Sequence, residues 1–270
     1  MNETQADGIR RAVRDSYAQV AEASEQGEGC GEAGGCCGVA SDAAINALVS
    51  TRLGYAETDL QSVPAGADMG LGCGNPRALA SLKPGETVLD LGSGGGFDAF
   101  LAAREVGEQG RVIGVDMTPA MITKARANAE RGQYTNVAFR LGEIEHLPVA
   151  DASVDVIISN CVINLSPDEA QVFREACRVL RPGGRLAVSD VVASAELPEH
   201  LRDDPALYAG CMAGASRIDR LEAMIRAAGF EGVRIAPKDE SRSFIKDWAP
   251  GRGVEDYLVS ATIEAFKPGP

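Results

Sequence analysis

The sequence has little histidine, few aromatic side chains and a deficit of positive charge. Its 270 residues include two histidines and one tryptophan, and only 5% are aromatic. Lysine and arginine number 26 against 39 acidic residues, which gives a formal net charge of −13. Phosphate backbones and anionic lipid surfaces are bound through clusters of basic residues, which this chain does not offer. We therefore predict no nucleic-acid partner and no membrane surface.

Long apolar runs are also missing from the chain. No stretch reaches the roughly 18 consecutive apolar residues of a membrane-spanning helix. The first residues, Met1 to Asp7, do not combine a basic region with an apolar one as a secretory signal does. We expect a cytoplasmic protein whose thiols stay reduced. The seven cysteines are an odd number, and therefore cannot all pair within one chain.

The sequence divides into three parts with different patterns. Residues 1–23 predict a polar helix, residues 24–38 a loop rich in glycine and cysteine, and 41–53 a helix with Ser41 as its N-cap. Alternating strands and helices follow, with strands over 87–91, 111–116, 137–141, 154–159 and 185–190 and helices over 98–106, 119–131 and 167–180. The remainder predicts a helix over 219–228 and strands near 233–235 and 258–266. This order is typical of an α/β fold with a parallel sheet covered by helices on both faces.

A glycine-rich turn links the first strand of this sheet to the following helix. The glycines are spaced G-x-G-x-G, at Gly92, Gly94 and Gly96, and the dinucleotide fingerprint counted from Gly92 fails at Phe97. Counted from Gly94, its alanine-ended form is met at Ala99, so a nicotinamide or flavin site stays open. Three acidic residues stand at or just after strand ends, namely Asp90, Asp116 and Glu143. Each alone could cap a turn, but together they favour a nucleoside site.

Four segments carry a family resemblance, namely Val88 to Gly96, Val115-Asp-Met117, Gly142 to Pro148 and Arg178 to Gly184. Together they resemble class I S-adenosylmethionine-dependent methyltransferases over about residues 79–190. The resemblance implies a Rossmann-like sheet with helices on both faces, an N-terminal helical segment and a C-terminal α+β extension. It also implies cofactor contacts from Asp90, Gly92 and Gly94 at the methionine end, Asp116 and Met117 at ribose and adenine, Glu143 and Ile144 at the adenine edge, and Asn160 below the sulfonium.

The nucleophile that would receive a methyl group is harder to find. Methylation of oxygen or nitrogen usually needs a base, most often histidine, and the two histidines, His146 and His200, are better explained as surface residues. Asp190, after the fifth predicted strand, is a possible base or cap. Cysteines occupy more telling positions: Cys161 ends the fourth strand, and Cys73 and Cys211 stand among small residues. By contrast, Cys177 lies within a predicted helix and is interpreted as a core residue.

Three thiols from separate segments favour a site for a soft ion. Zinc is the rival ligand, but structural zinc sites normally show paired C-x₂₋₄-C segments, and this chain has none. Each thiol taken singly could also be an inert buried residue.

Several short strings resemble arsenite methyltransferases, namely Gly72 to Pro76, Ser159 to Leu165, Ser189-Asp-Val191, Glu196-Leu-Pro198 and Gly210 to Ala215. The resemblance extends over nearly all of the chain from Met69. It implies that Cys73, Cys161 and Cys211 bind trivalent arsenic and carry the catalysis, and that Cys36 or Cys37 supplies an upstream thiol.

The expected activity is methyl transfer from S-adenosylmethionine to arsenic held by thiolates, giving methylated arsenicals in arsenic detoxification. Arsenite or its thiol conjugates would be the substrate, an external thiol reductant such as thioredoxin or glutathione would reset the enzyme, and we expect a monomer. Two alternatives remain: a small-molecule carbon or oxygen methyltransferase with incidental cysteines, and a thiol-based binding module for soft metals.

The predicted division of the chain follows these assignments. Residues 1–68 hold the N-terminal helices and the Cys/Gly-rich loop, 69–195 the S-adenosylmethionine-binding core, and 196–270 an arsenic-site region that completes the sheet.

Overall fold

A computed structural model describes residues 3–26 and 43–269. The predicted cap Ser41 and the thiols of Cys30, Cys36 and Cys37 lie outside the described residues. Within them, no helix has the length and apolar character needed to cross a membrane.

In the part of the chain that the structure describes, seven strands form one sheet in the order β3-β2-β1-β4-β5-β7-β6. The strands are β1 Thr87–Leu91, β2 Arg111–Asp116, β3 Val137–Leu141, β4 Val154–Asn160, β5 Leu180–Ala193, β6 Glu231–Lys238 and β7 Leu258–Phe266. Strands β1 to β5 are parallel, and β7 is antiparallel to both β5 and β6. The α/β sheet predicted from the sequence is confirmed, with a C-terminal antiparallel pair at one edge.

Eleven α-helices are present among the described residues. They are α1 Glu3–Gln26, α2 Ala43–Arg52, α3 Glu57–Gln61, α4 Arg77–Ala80, α5 Phe97–Val106, α6 Pro119–Arg131, α7 Glu169–Val179, α8 Glu199–Arg202, α9 Pro205–Ala209, α10 Ile218–Ala227 and α11 Arg242–Ile245. Short 3-10 helices cover Ile163–Leu165, Asp239–Ser241 and Val254–Asp256. Most predicted elements lie within one or two residues of these bounds.

The fifth strand begins earlier than the sequence predicted. The sequence predicted a helix that ends at residue 180 and a strand that begins at residue 185, yet β5 already starts at Leu180, which pairs with Val154. The register of this pairing shifts between Val154 and Val156. A proline that cannot donate to the ladder is tolerated at such an irregularity.

Alternation along the strands divides the core between the two faces of the sheet. Leu89 and Ile157 face α7 and α10, whereas Val88 and Ile158 face α5 and α6. A third buried cluster lies apart from these two and contains Val13 of α1 with Cys73, Cys161, Leu165, Leu207, Cys211 and Met212. The N-terminal and C-terminal parts of the chain therefore pack together around the three cysteines. The three-part division at residues 69 and 196 stays a prediction.

Glu169, in the first turn of α7, gives the fold a specific pH dependence. Burial raises its pKa from 4.5 to about 7, although Ser216 donates a hydrogen bond to it at 2.5 Å. Its folded pKa lies above its unfolded value, so its stabilising contribution is complete below pH 4.5 and is lost as pH rises to about 7. This loss gives the free energy of unfolding a downward slope against pH. We expect Glu169→Gln to reduce that slope by up to ~1.4 kcal/mol per pH unit. Urea unfolding of both proteins across that range measures it.

Glu175 is a control of opposite sign for this measurement. A hydrogen bond from Arg178 holds its pKa below the usual value, so its contribution is lost as pH falls through its folded pKa. If the free energy of unfolding depends on pH in the same way in wild type and in Glu169→Gln, Glu169 is not the group responsible for the slope.

Candidate active site

A cavity of about 400 Å³ lies at the carboxyl ends of β1, β2 and β4. The turn after β1 and the residues at the ends of β2 and β4 form its floor, and side chains of α1 and α2 contribute to its walls. Ligands of parallel α/β sheets bind at this edge. Of the residues predicted to form the site, those that line the cavity are Asp90, Gly92, Gly94, Asp116, Met117, Ile144, Asn160, Cys161 and Cys211.

The glycine-rich turn is held against the end of β2 by Asp116. The carboxylate of Asp116 accepts hydrogen bonds from the backbone N–H of Gly94 at 3.0 Å and of Thr118 at 2.8 Å. Gly92 and Gly94 have φ angles of +68° and +50°, which glycine adopts without strain. Asp116 thus connects the turn after β1 to β2 at the cavity wall.

Two polar atoms in the floor of the cavity have no hydrogen-bond partner among the described residues. They are Oδ2 of Asp90 and Oγ of Ser93, and both side chains are buried. Burial, with Asp98 and Asp116 nearby, raises the pKa of Asp90 well above its usual value. A ligand with hydrogen-bond donors would satisfy these groups, since buried polar atoms are normally paired.

A hydrogen-bond network joins the floor of the cavity to the thiols. Asn160 donates to Asp98 Oδ2 at 3.3 Å, and its own Oδ1 accepts from the backbone N–H of Cys73 at 3.0 Å. Tyr55 donates to Asp98 Oδ1 at 2.6 Å. Neither Tyr55 nor Asp98 was predicted from the sequence; the position of Asp98 in the first turn after the glycines was the available signal.

The three cysteines predicted from separate segments come together. Cys73, Cys161 and Cys211 are all buried, and no disulfide joins the cysteines that the structure describes. Cys161 is central: hydrogen bonding to the thiols of Cys211 and Cys73, together with burial, raises its pKa well above the usual value. Three sulfur atoms therefore converge beside the cavity.

The backbone around two of these cysteines is strained. Cys161 has a φ of +58° and Cys211 a φ of +62°, in the left-handed region that costs a non-glycine residue about 1–3 kcal/mol. Hydrogen bonds hold the two turns in place: Cys161 N–H donates to Ser189 O at 2.8 Å, and Asn164 Nδ2 donates to Cys211 O at 2.8 Å. The Cys211 thiol itself donates to Cys161 O at 3.0 Å. Strain of this kind is typical of sites where a side chain must take one fixed direction.

Two further residues approach the thiols, and neither was predicted as a ligand of the soft ion. Asp190 was interpreted as a possible base or cap, and its oxygens accept from the backbone N–H groups of Ile163 at 3.0 Å and Val191 at 2.7 Å. It therefore caps the turn after Cys161. Tyr17, on the first helix, was not predicted as a site residue, and its hydroxyl lies 3.6 Å from Cys211 Sγ.

Glu143 does not line the cavity. Its carboxylate lies 3.6 Å from Nε of Arg10 and 3.4 Å from Nη2 of Arg14, both on α1. Its neighbour Glu145 lines the cavity instead, buried between Arg10 and Ser166. The role of Glu143 at an adenine edge stays a prediction.

The remaining candidates lie away from the cavity. His146 and His200 are exposed, which agrees with their interpretation as surface residues. The thiol of Cys177 packs against the core cluster of α7 and α10, as predicted.

Comparison with known proteins places this chain in a family. Residues 82–229 match the family model of a methyltransferase domain. Over 266 residues the chain is 57% identical to an arsenite methyltransferase of Halobacterium salinarum, a match that covers 96% of this chain and 66% of the relative. An arsenite methyltransferase of Aquipseudomonas alcaligenes is 45% identical over 73% of this chain and 58% of its own length. The chain therefore spans less than two thirds of the length of these curated relatives.

A solved structure agrees with these relatives. CrArsM, an arsenic (III) S-adenosylmethionine methyltransferase from Chlamydomonas reinhardtii, matches with a TM-score of 0.62 and 36% identity over 82% of this chain and 73% of its own. The Rossmann-like class I methyltransferase fold is confirmed, and so is the resemblance that the cysteine-containing strings predicted. The chain belongs to the arsenic (III) S-adenosylmethionine methyltransferases, within the methyltransferase domain family.

Proposed function

We propose that this protein transfers methyl groups from S-adenosylmethionine to trivalent arsenic bound by Cys73, Cys161 and Cys211. The observation that carries the proposal is the position of Cys161, which lines the cavity and contacts both other thiols. Thiolates are the ligands that soft ions prefer. A site of this kind would hold arsenic at the wall of the cavity that accepts the methyl donor.

The residues of the cavity fit S-adenosylmethionine. Its sulfonium supplies an electrophilic methyl carbon, and its ammonium group can donate to the unpartnered Asp90 Oδ2 and Ser93 Oγ. Asp116 ends β2, where an acidic side chain suits ribose hydroxyls. A Cβ on Gly94 would meet nothing within 4 Å, so this glycine leaves open space beside the turn.

The chemistry explains why no histidine is needed. Trivalent arsenic carries a lone pair and no proton, so it attacks a methyl carbon without a base. The three thiols would give up their protons to the departing hydroxides as water and would hold arsenic in a pyramid with its lone pair free. Catalysis by these residues is then mostly positioning, with the nucleophile about 3 Å from the reacting carbon.

Methyl transfer oxidises arsenic from the trivalent to the pentavalent state. Two coordinating thiolates can return the electron pair by forming a disulfide. Water then supplies a hydroxide ligand and releases a proton, which leaves a trivalent methylarsenical bound to the third thiolate and to that hydroxide. An external thiol reductant, such as thioredoxin or glutathione, then restores both thiols by exchange. Cys36 and Cys37, outside the described residues, are further candidates for this exchange.

The decisive experiment combines purified protein, arsenite, S-adenosylmethionine and a thiol reductant, with methylated arsenic measured by mass spectrometry. We expect a methylated product that requires all three components. A folded protein that binds S-adenosylmethionine but forms no methylarsenical would exclude the proposed activity. Methylation of an organic acceptor would then favour the small-molecule alternative.

Asp98 should make cofactor binding depend on pH. Burial raises its pKa to about 6, while hydrogen bonds from Tyr55 and Asn160 favour its ionised form. The carboxylate is therefore anionic above that pH and neutral below it. Because S-adenosylmethionine is cationic, its affinity should fall as pH drops through about 6. Calorimetric titration about one unit above and one unit below that value tests the expectation.

Asp98→Asn is the matched variant for this prediction. It retains an acceptor for Tyr55 but not the charge, so we expect weaker binding with a shallower pH dependence. An affinity that is equally pH-dependent in wild type and variant would exclude Asp98 as the group responsible.

A further inference from the structure

Asp190 stands at the cysteine cluster without a role in methyl transfer to arsenic. One of its oxygens and the sulfur atoms of Cys73 and Cys161 all lie within 4.8 Å of one another, and all three residues are buried. Cys211 lies beside this group, because its thiol donates to the backbone oxygen of Cys161 at 3.0 Å and forms a hydrogen bond with the Cys161 thiol. The cluster therefore offers four ligand groups, three sulfurs and one oxygen, on four separate segments.

Trivalent arsenic and thiophilic divalent cations need different numbers of ligands. Arsenic bound by three thiolates is complete, since its lone pair occupies the fourth direction. Zinc and similar cations take four ligands in a tetrahedron, with sulfur at about 2.3 Å and carboxylate oxygen at about 2.0–2.2 Å. Ligand atoms in such a tetrahedron lie ~3.5–3.8 Å apart. Cys73, Cys161 and Asp190 already place three ligand atoms within 4.8 Å of one another. To supply the fourth, the Cys211 thiol must turn away from Cys161 O, to which it donates at 3.0 Å.

We propose that Cys73, Cys161, Cys211 and Asp190 form a tetrahedral site for a thiophilic divalent cation, which competes with arsenic for the three thiols. The proposal shares its thiols with the proposed function and adds Asp190 as the ligand that separates the two kinds of ion. It makes such cations inhibitors that act at the substrate site, not at the cofactor site.

The surroundings of Asp190 suit a ligand role. Backbone N–H groups of Ile163 and Val191 each donate to one of its oxygens and fix the plane of the carboxylate. Each oxygen keeps a second lone pair for a cation. Metal ligands are commonly held in this way by hydrogen bonds to the backbone. Zinc proteins often use paired cysteine segments, so a site of four dispersed residues gives no such signal in the sequence.

Cadmium is a suitable probe because its thiolate complexes absorb in the ultraviolet. The measurement uses the full chain with Cys30→Ser, Cys36→Ser and Cys37→Ser, so that binding reports the described thiols. We expect Cd²⁺ to bind one to one and to raise the apparent dissociation constant of arsenite in proportion to its concentration. X-ray absorption should find three sulfur ligands and one oxygen. Two or four sulfur ligands, or no competition, would overturn the proposal.

Asp190→Asn tests the fourth ligand directly. Loss of an outer partner costs about 10- to 100-fold in metal affinity, and loss of a ligand should weaken Cd²⁺ binding at least as much while arsenite binding changes little. Asp155→Asn is the matched control, since Asp155 also accepts from a backbone N–H, that of Thr87 at 2.8 Å, at the other end of β4. Equal losses for both ions in Asp190→Asn would show a structural role only and refute the proposal.

The experiments separate this proposal from the proposed function. Arsenite methylation with Cd²⁺ binding independent of Asp190 would reject the cation site and leave the methyltransferase activity standing. Asp190-dependent Cd²⁺ binding in a protein that methylates no arsenic would support the cation site and reject the methyltransferase activity. If Asp190→Asn does not fold, the ligand count and competition measured on the protein with aspartate retained decide the question.

Discussion

Cys161→Ser should reduce arsenite methylation by more than about 100-fold, because even a ~1 Å misplacement of a reacting group can cost that much. Serine removes the central sulfur of the cluster, the one in contact with both Cys73 and Cys211. It keeps a Cβ at the strained φ of +58°, so the backbone cost is the same in both proteins. We therefore expect nearly unchanged unfolding free energy and S-adenosylmethionine affinity. Product formation, urea unfolding and calorimetric cofactor titration are the three measurements.

Cys177→Ser is the matched control for Cys161→Ser. Its thiol packs against the helices on one face of the sheet, away from the cavity, so methylation should persist. Full arsenite methylation by Cys161→Ser would instead favour the small-molecule methyltransferase with incidental cysteines.

The parts of the fold that follow simple periodicity were predictable from the sequence. Strands β1 to β4 are short apolar runs between helices with regular apolar spacing, and the structure retains their order and nearly all of their bounds. The strand β5 differs, because its first residues pair across a register shift that a local pattern containing Pro182 does not reveal.

The candidate site was predictable where its residues follow strand ends. Asp90, Asp116 and Asn160 all line the cavity because parallel strands end at one edge of the sheet. Tyr17 could not be predicted as a neighbour of Cys211, since their contact joins residues 194 positions apart. Glu143 is also placed by contacts that are distant in the sequence. Its position after β3 suggested the cavity, but two arginines of α1 hold its carboxylate.

Gly92→Ala should damage the cofactor turn and the thiol site together. A Cβ at this position would lie 2.5 Å from Cγ1 and 2.9 Å from Cβ of Val162, the residue after Cys161. The substitution also places alanine at a φ of +68°. The left-handed backbone costs about 1–2 kcal/mol and overpacking about 1–3 kcal/mol. We expect urea unfolding to show a loss of roughly 2–5 kcal/mol, with weaker arsenite binding because Val162 must move.

Gly94→Ala separates the two contributions. Gly94 has a similar φ of +50°, but a Cβ there would meet nothing within 4 Å. The variant should lose only the backbone contribution of about 1–2 kcal/mol and should bind arsenite normally. Adding Val162→Ala to Gly92→Ala should recover the part of the unfolding free energy that is lost to the clash with Val162. The arsenite affinity should recover with it. Equal losses in Gly92→Ala and Gly94→Ala, with no recovery in the double variant, would show that the two turns are not mechanically coupled through Val162.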